Sequence, residues 1–173
     1  MTRKVKILII IVTIILLVSI AGYFAYEQYK VSKTQSYLKT SADHQKTADN
    51  YLSQAYSYQN RNDYANAIIM LQKGADEIKI ALLNDNEALP YASGVYREYL
   101  DNDISLLQAM SKLIEYKIYI NQYNSNTLNP GQERANPSLM TTYINNLESE
   151  IAACKDKEKQ IIAAHPNEFQ FLK

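Results

Sequence analysis

Residues 7–23 read ILIIIVTIILLVSIAGY, a run of seventeen residues without a charge that follows a basic N-terminus. A helix over residues 5–25 would be about 30 Å long, which is enough to cross the hydrocarbon core of a bilayer. The core helix of a soluble protein is a poor alternative for an uncharged run of this length behind a basic flank. We therefore predict a transmembrane helix whose lipid-facing residues include Ile7, Ile10, Ile14, Leu17, Tyr23 and Phe24.

The charges beside this segment predict its orientation. Arg3, Lys4 and Lys6 precede it, and the positive-inside tendency then places the N-terminus in the cytoplasm and the rest of the chain outside. Lys30 and Lys33, beyond the segment, weaken this prediction without reversing it. We favour an uncleaved signal anchor in the cell membrane, because bulky aromatic residues follow closely. Cleavage by signal peptidase near residue 21 remains the alternative.

The remaining chain has the composition of one helical domain. Of 173 residues only four are glycine and four are proline, which favours helices over a turn-rich β fold. From residue 37 onward there are 13 basic and 17 acidic residues, a balance of −4, so no electrostatic footprint for nucleic acid exists. A single cysteine excludes an internal disulfide framework and a cysteine-based zinc site.

Four amphipathic segments follow the predicted anchor. Their apolar residues recur at alternating spacings of three and four, which predicts helices that pack along one seam. Mostly short connections then favour an all-α fold, an antiparallel bundle of about four helices. We divide the chain into the flank and anchor (1–25), a helical connector (26–40), the bundle (41–164) and a tail (165–173).

Turn-forming residues mark the ends of these segments. The first should end at a tight turn over 60–62, with Asp63 capping the second helix. The residues Asn84-Asp85-Asn86 should end the second helix, and Pro90 should lie in the first turn of the third. Residues 124–137 are rich in proline and polar side chains and predict the longest loop. Pro166 should stop the fourth helix.

One part of the chain, residues 48–81, is similar to a known repeat. Tyr51, Ala55 and Tyr58 stand where a tetratricopeptide repeat has its first-helix aromatic, small and aromatic residues. The run Asn62-Asp63-Tyr64-Ala65-Asn66-Ala67-Ile68 then resembles the Gly-Asp-Tyr-x-x-Ala-Ile segment of that family. Asn62 replaces the glycine, Lys79 stands where a proline usually closes the repeat, and no second copy follows.

The resemblance implies a helical hairpin and a role in protein–protein interaction rather than catalysis. A solenoid needs about three repeats to bury a continuous core, so a superhelical array is not supported. The same spacing also arises in any hairpin whose helices approach closely, because small residues are needed where the backbones meet. A true repeat and a convergent hairpin both remain open.

Reactive side chains do not form a catalytic or metal-binding pattern, so we expect no enzyme, cofactor or metal. Cys154 occupies a seam position and is expected to pack as a small hydrophobe. His44 and His165 are far apart in sequence, and neither lies at metal-ligand spacing from a partner. We expect two charged groups to be solvated helix faces: the acidic residues Glu98, Asp101 and Asp103, and the mixed charges of residues 148–159.

The fifteen tyrosines are the most unusual feature of the composition. Aromatic residues often dominate protein interfaces, although we favour ordinary bundle packing with the hydroxyls at the boundary. We name five as a candidate partner surface: Tyr51, Tyr58, Tyr96, Tyr99 and Tyr119.

These observations predict a single-pass membrane protein with an extracytoplasmic helical module that binds a protein partner not identified by the sequence. A ligand-sensing bundle that acts through a partner is one alternative. A secreted helical protein, released near Ala21, is another.

Overall fold

A computed structural model describes residues 3–128 and 137–172, with side chains described for residues 10–128 and 139–172. Within these ranges the chain is helical and contains no strand, which confirms the all-α prediction. The elements are α1 (Arg3–Gln59), α2 (Tyr64–Ala88), α3 (Val95–Asn124), α4 (Pro137–Ala164) and a short 3-10 helix (Gln170–Leu172). The predicted loop over 124–137 lies largely outside the described residues, and the antiparallel order of the helices stays a prediction.

α1 is one uninterrupted helix of 57 residues that joins the apolar N-terminal segment to the bundle. No break occurs between residues 27 and 41, where Thr34 and Thr40 could have ended the helix. Their hydroxyls instead donate to the carbonyls of Lys30 and Ser36, each at 3.0 Å, within the same helix. The apolar N-terminal segment and the first helix of the bundle are therefore one continuous helix.

A tight turn joins α1 to α2 at the predicted place. Asn62 takes a positive φ of 58°, a conformation that asparagine tolerates better than most residues. The Asp63 carboxylate then caps α2 by accepting from the backbone N–H of Asn66 at 3.3 Å. The Asn66 backbone and side-chain amides hold the pKa of Asp63 below its usual range.

α1 and α2 approach closely because small residues line their contact. Ala48 and Ala55 of α1 are buried against α2, and Gly74 of α2 lies opposite Leu52. A Cβ atom at Gly74 would lie 3.2 Å from Leu52 Cδ2, so nothing larger fits without displacing that side chain. These contacts suit a tetratricopeptide-like hairpin and a convergent one equally, and the resemblance stays a prediction.

Gly74→Val is expected to destabilise the bundle by about 1–3 kcal/mol, because the branched side chain meets Leu52 in a filled core. Urea unfolding of the full chain in detergent micelles measures the change. Ala65→Val, at an exposed position of the same helix, is the control and should lower the free energy of unfolding by only a few tenths of a kcal/mol. Equal losses in the two variants would show that the approach at Gly74 is not tight.

Two predicted boundaries are wrong. Asn84-Asp85-Asn86 does not end α2, which continues to Ala88, because the two asparagine side chains bond to carbonyls four residues earlier in the same helix. Asp85 faces the interior instead of a turn. Pro90 consequently lies in the connection after α2, and α3 begins only at Val95, after Gly94 with a φ of 56°.

The packed helix pairs are consecutive: α1 with α2, α2 with α3, and α3 with α4. Two hydrophobic clusters fill the interior. One is centred on Leu71, Ile78 and Leu107, and the other, nearer the anchor, surrounds the fully buried Phe169 of the C-terminal tail. The tail therefore folds back on the bundle.

Hydrogen bonds fasten this tail to α1 and α3. The Tyr96 hydroxyl donates to the Glu168 carbonyl at 3.0 Å, and the Gln35 amide donates to the Tyr96 hydroxyl at 2.6 Å. Burial raises the pKa of Tyr96, so its hydroxyl stays protonated and able to donate. Thr34 and Leu38 are already fully buried, so packing begins inside the connector assigned to residues 26–40.

Candidate functional site

The first candidate site is the apolar half of α1. It is long and apolar enough to cross a membrane, and no residue of its most hydrophobic window is buried. Of the predicted lipid-facing residues, Ile10, Ile14, Leu17, Tyr23 and Phe24 are all exposed, between 54 and 63%. Ile7 lies in the helical backbone, but its side chain is outside the described residues. The same properties occur in signal sequences, so they establish a candidate span and not its orientation.

The five tyrosines named as a partner surface occupy different environments. Tyr96 and Tyr99 are buried and pack against Phe169 with ring centroids 5.5 and 5.0 Å apart, so they belong to the core rather than to a surface. Tyr51 and Tyr58 are half-buried beneath the side-chain cations of Lys73 and Arg61.

These tyrosines also lie at different heights along the bundle. Tyr96 lies at the level of Gln35 of α1, to which it is hydrogen-bonded. Tyr51 is sixteen residues after Gln35 on α1, about 24 Å further along that helix. Tyr119 is half-buried on α3. One continuous tyrosine surface is therefore not formed, and a role for Tyr51, Tyr58 and Tyr119 individually stays a prediction.

A groove between α1 and α4 is a concave feature of the described residues. It consists of two adjoining cavities of about 160 and 260 Å³ that share Asp49, Met110 and Lys155. Apolar residues of α3 form its floor, while α1 and α4 form its two walls. Its rim carries Tyr56 and Gln59 on the α1 side and lysines on the other. The sequence did not predict this groove, because it depends on α4 packing against α3 and not against α1.

Three acidic residues from three helices meet in the interior beside this groove. Asp85 of α2 and Asp103 of α3 are 0 and 1% exposed, and Glu158 of α4 is partly buried with a fully enclosed Oε1 atom. No cationic side chain among the described residues forms a salt bridge with any of them. The expectation that Asp103 and Glu158 belong to solvated faces is therefore wrong, whereas Glu98 and Asp101 are exposed as predicted.

Hydrogen bonding within this cluster is unequal. The Gln45 amide of α1 lies 2.9 Å from both carboxylate oxygens of Asp103. By contrast, no N–H or O–H donor of the described residues reaches either oxygen of Asp85 or the Oε1 atom of Glu158. The Ser41 hydroxyl adjoins Asp85 but lies outside hydrogen-bond geometry with its oxygens.

Burial, followed by the neighbouring charge of Asp103, raises the pKa of Asp85 to about 9 and that of Glu158 to about 9. Burial also raises the pKa of Asp103, although hydrogen bonds from Glu158, Gln45 and Asp85 oppose the change. At neutral pH the cluster therefore holds protons that ordinary surface carboxyls have lost.

A signal for this cluster is present in the sequence. Each carboxyl occupies a seam position: Asp85 lies seven residues after Ile78, Asp103 lies three after Leu100, and Glu158 lies three before Ile161. An acidic residue on the apolar stripe of three separate helices predicts that the three face one another in a common core.

The other reactive side chains lie elsewhere. Cys154 is half-buried on α4, its backbone carbonyl accepts from the Asn102 amide at 2.9 Å, and burial raises the pKa of its thiol. His44 pairs with Glu77 across α1 and α2, while His165 is exposed after α4. Within the described residues, no group of three or more His, Cys, Asp or Glu side chains has the arrangement of a metal site.

Comparison with known proteins adds no assignment to these features. No match to this chain is found among protein-family models, curated proteins or solved structures.

Proposed function

We propose that this chain is a single-pass membrane protein that holds a protein partner beside the bilayer with its helical bundle. The observation that carries the proposal is the continuity of α1, which is exposed and apolar in its first half and packed in its second. A linker-free connection fixes the height of the bundle above the membrane. A partner bound there is held close to other proteins of the same membrane, which meet it at an effective local concentration on the order of mM.

Charge distribution supports an extracytoplasmic bundle. Three basic residues precede the span, and the positive-inside tendency keeps them in the cytoplasm. On the far side, Lys30, which pairs with Glu27 at 2.7 Å, and Lys33 are the nearest basic residues, two against three. Lys30 and Lys33 also lie over the rings of Tyr26 and Tyr29, as expected for side chains at the interfacial level.

Protease treatment of intact cells and of inverted vesicles tests this orientation. Protease should digest the bundle in intact cells and leave it protected in inverted vesicles. The opposite pattern would place the bundle in the cytoplasm and overturn the proposed topology.

The groove between α1 and α4 is the surface that best suits a partner. It extends along α1 from Gln45 to Gln59, about 21 Å, which matches roughly four turns of helix. Its apolar floor favours a helix with one apolar face. Lys155 and Lys159 of α4 and Lys117 of α3 line the groove, whereas Asp49 lies on α1. The proposed occupant is therefore an amphipathic helix of another protein, with acidic side chains directed toward these lysines.

Site-specific photocrosslinking in membranes tests the groove. A photoreactive amino acid at Tyr56, on the groove rim, should capture a discrete partner, whereas the same group at the similarly exposed Leu83 should not. A second substitution in the floor, Leu113→Glu, should abolish capture from position 56, because a charge would enter the apolar floor. Leu83→Glu is its matched control and should leave capture intact. Equal capture from both positions, or capture unaffected by Leu113→Glu, would contradict the groove as the binding surface.

A further inference from the structure

Asp85 is a fully buried carboxyl for which the described protein supplies no hydrogen-bond donor. An ionised carboxylate in such a place costs more free energy than folding can readily offset, so a buried carboxyl without a cation or donor takes up a proton instead. The neighbouring carboxylate of Asp103 can then accept a hydrogen bond from it. This arrangement therefore favours the binding of a proton.

The groups around the cluster leave few alternatives to protonation. α1 contributes the uncharged Ser41 and Gln45. α3 contributes Tyr99, whose pKa is raised by burial so that it stays neutral. α4 contributes Lys155, which acts on Glu158 only weakly from the groove wall.

We propose that Asp85, Asp103 and Glu158 form a proton-binding site that fastens α4 to the rest of the bundle, and that loss of its protons releases α4. In this site Asp103 holds the negative charge, because Gln45 donates to both of its oxygens. Asp85 and Glu158 carry protons and donate to Asp103 from either side. The three helices α2, α3 and α4 are joined at this point through shared protons.

α4 is the element expected to move, because the ion pairs that link it to α3 are exposed. Among the described residues, the polar links between these two helices include the Asn102 bond to the Cys154 carbonyl and two ion pairs, Lys117–Glu148 at 3.4 Å and Lys157–Glu98 at 3.9 Å. Exposed pairs of this kind contribute little to stability. Glu158 also lines the groove, so its ionisation and the geometry of the groove wall are linked.

The direction of the pH dependence follows from proton uptake on folding. Unfolded carboxyls titrate near their ordinary pKa of about 4, whereas Asp85 and Glu158 titrate near 9 in the folded chain. Between these values the folded state binds more protons than the unfolded state, so stability falls as pH rises. For each proton retained, the folding equilibrium constant decreases about tenfold per pH unit. The bundle should therefore be more stable in a mildly acidic exterior than in an alkaline one.

Urea unfolding of the full chain in detergent micelles, followed by far-UV circular dichroism at several pH values, tests the proposal. From about pH 6 to about pH 8, the wild-type folding constant should fall on the order of a hundredfold or more. In Asp85→Asn the new side-chain amide donates to Asp103 at every pH. The fold-decrease of its folding constant over the same interval should therefore be at least about ten times smaller than that of the wild type. His44 and His165 are present in every variant, so they do not contribute to the difference between variants.

Asp76→Asn, at an exposed position of α2, is the matched control and should retain the wild-type dependence on pH. Glu158→Gln provides a second variant should Asp85→Asn fail to fold, and it should also flatten the dependence. Labelling of Cys154, relative to the urea-unfolded chain at each pH, reports on α4 itself and should accelerate with rising pH in the wild type. A wild-type folding constant that is flat between the two pH values would overturn the proposal. The proposal would also be overturned if the folding constants of Asp85→Asn and Glu158→Gln depended on pH as steeply as that of Asp76→Asn. A rate of Cys154 labelling that does not change with pH would overturn it as well.

Discussion

Replacing Leu16 and Leu17 with arginine is expected to remove the chain from the membrane. Both leucines are more than half exposed in the middle of the apolar part of α1, where no residue of the most hydrophobic window is buried. At the centre of a spanning helix, each exchange costs roughly 3–4 kcal/mol of insertion free energy, so the pair costs about 6–8 kcal/mol. Carbonate extraction of isolated membranes measures the result: the wild type should remain in the pellet and the double variant should not.

Leu83→Arg with Leu139→Arg is the matched control for this experiment. These two leucines are 61 and 60% exposed, against 57 and 60% for Leu16 and Leu17, but they lie in α2 and α4. The control should stay with the membrane, because the substitutions face water in either state. Retention of the Leu16/Leu17 variant would show that the segment does not span the bilayer. Extraction of the wild-type chain would instead favour the secreted form released near Ala21.

Phe169→Ala is expected to produce the largest loss of stability among single core truncations in the tail. The ring is fully buried and contacts Tyr96, Tyr99 and Phe171, so its removal leaves a cavity lined by rigid aromatic rings. Truncation of a buried phenylalanine costs about 3–5 kcal/mol, a large share of the roughly 5–15 kcal/mol that stabilises a typical domain. Urea unfolding of the full chain in micelles measures this loss.

Phe171→Ala is the appropriate comparison, since Phe171 is only half-buried at the rim of the same cluster. It should lose less than half as much stability as Phe169→Ala, because water already reaches part of its ring. Similar losses would mean that the tail packs as a loose unit rather than around one anchoring side chain.

Local patterns in the sequence predicted the parts of the fold that depend on local physics. The apolar run required a helix of spanning length, and Asp63 provided a cap because its side chain can reach the N–H groups of the next turn. The end of α2 was missed for a related reason. Asn84 and Asn86 are typical of turns, but their side chains can also bond back within a helix, and tertiary packing around Asp85 decided between the two.

The carboxyl cluster could not be located from any one segment. Asp103 is 18 residues from Asp85 and 55 from Glu158, and although each carboxyl lies on the apolar stripe of its own helix, no single segment shows that the three meet. Only the packing of α2, α3 and α4 brings them together. The groove was missed for the same reason, since its walls, α1 and α4, are nearly a hundred residues apart in the sequence.

Because α1 is uninterrupted, a small change in the tilt of its apolar end displaces its far end by a larger distance. From Tyr26, near the end of the apolar segment, to Gln59 the helix extends about 50 Å, and in the proposed topology this length stands beyond the bilayer core. Spanning helices tilt to match the thickness of the surrounding bilayer, and an additional tilt of about 10° would carry the far end of α1 sideways by about 9 Å. A change in lipid thickness of a few ångströms at one end would thus be amplified into a displacement of the groove as wide as a helix.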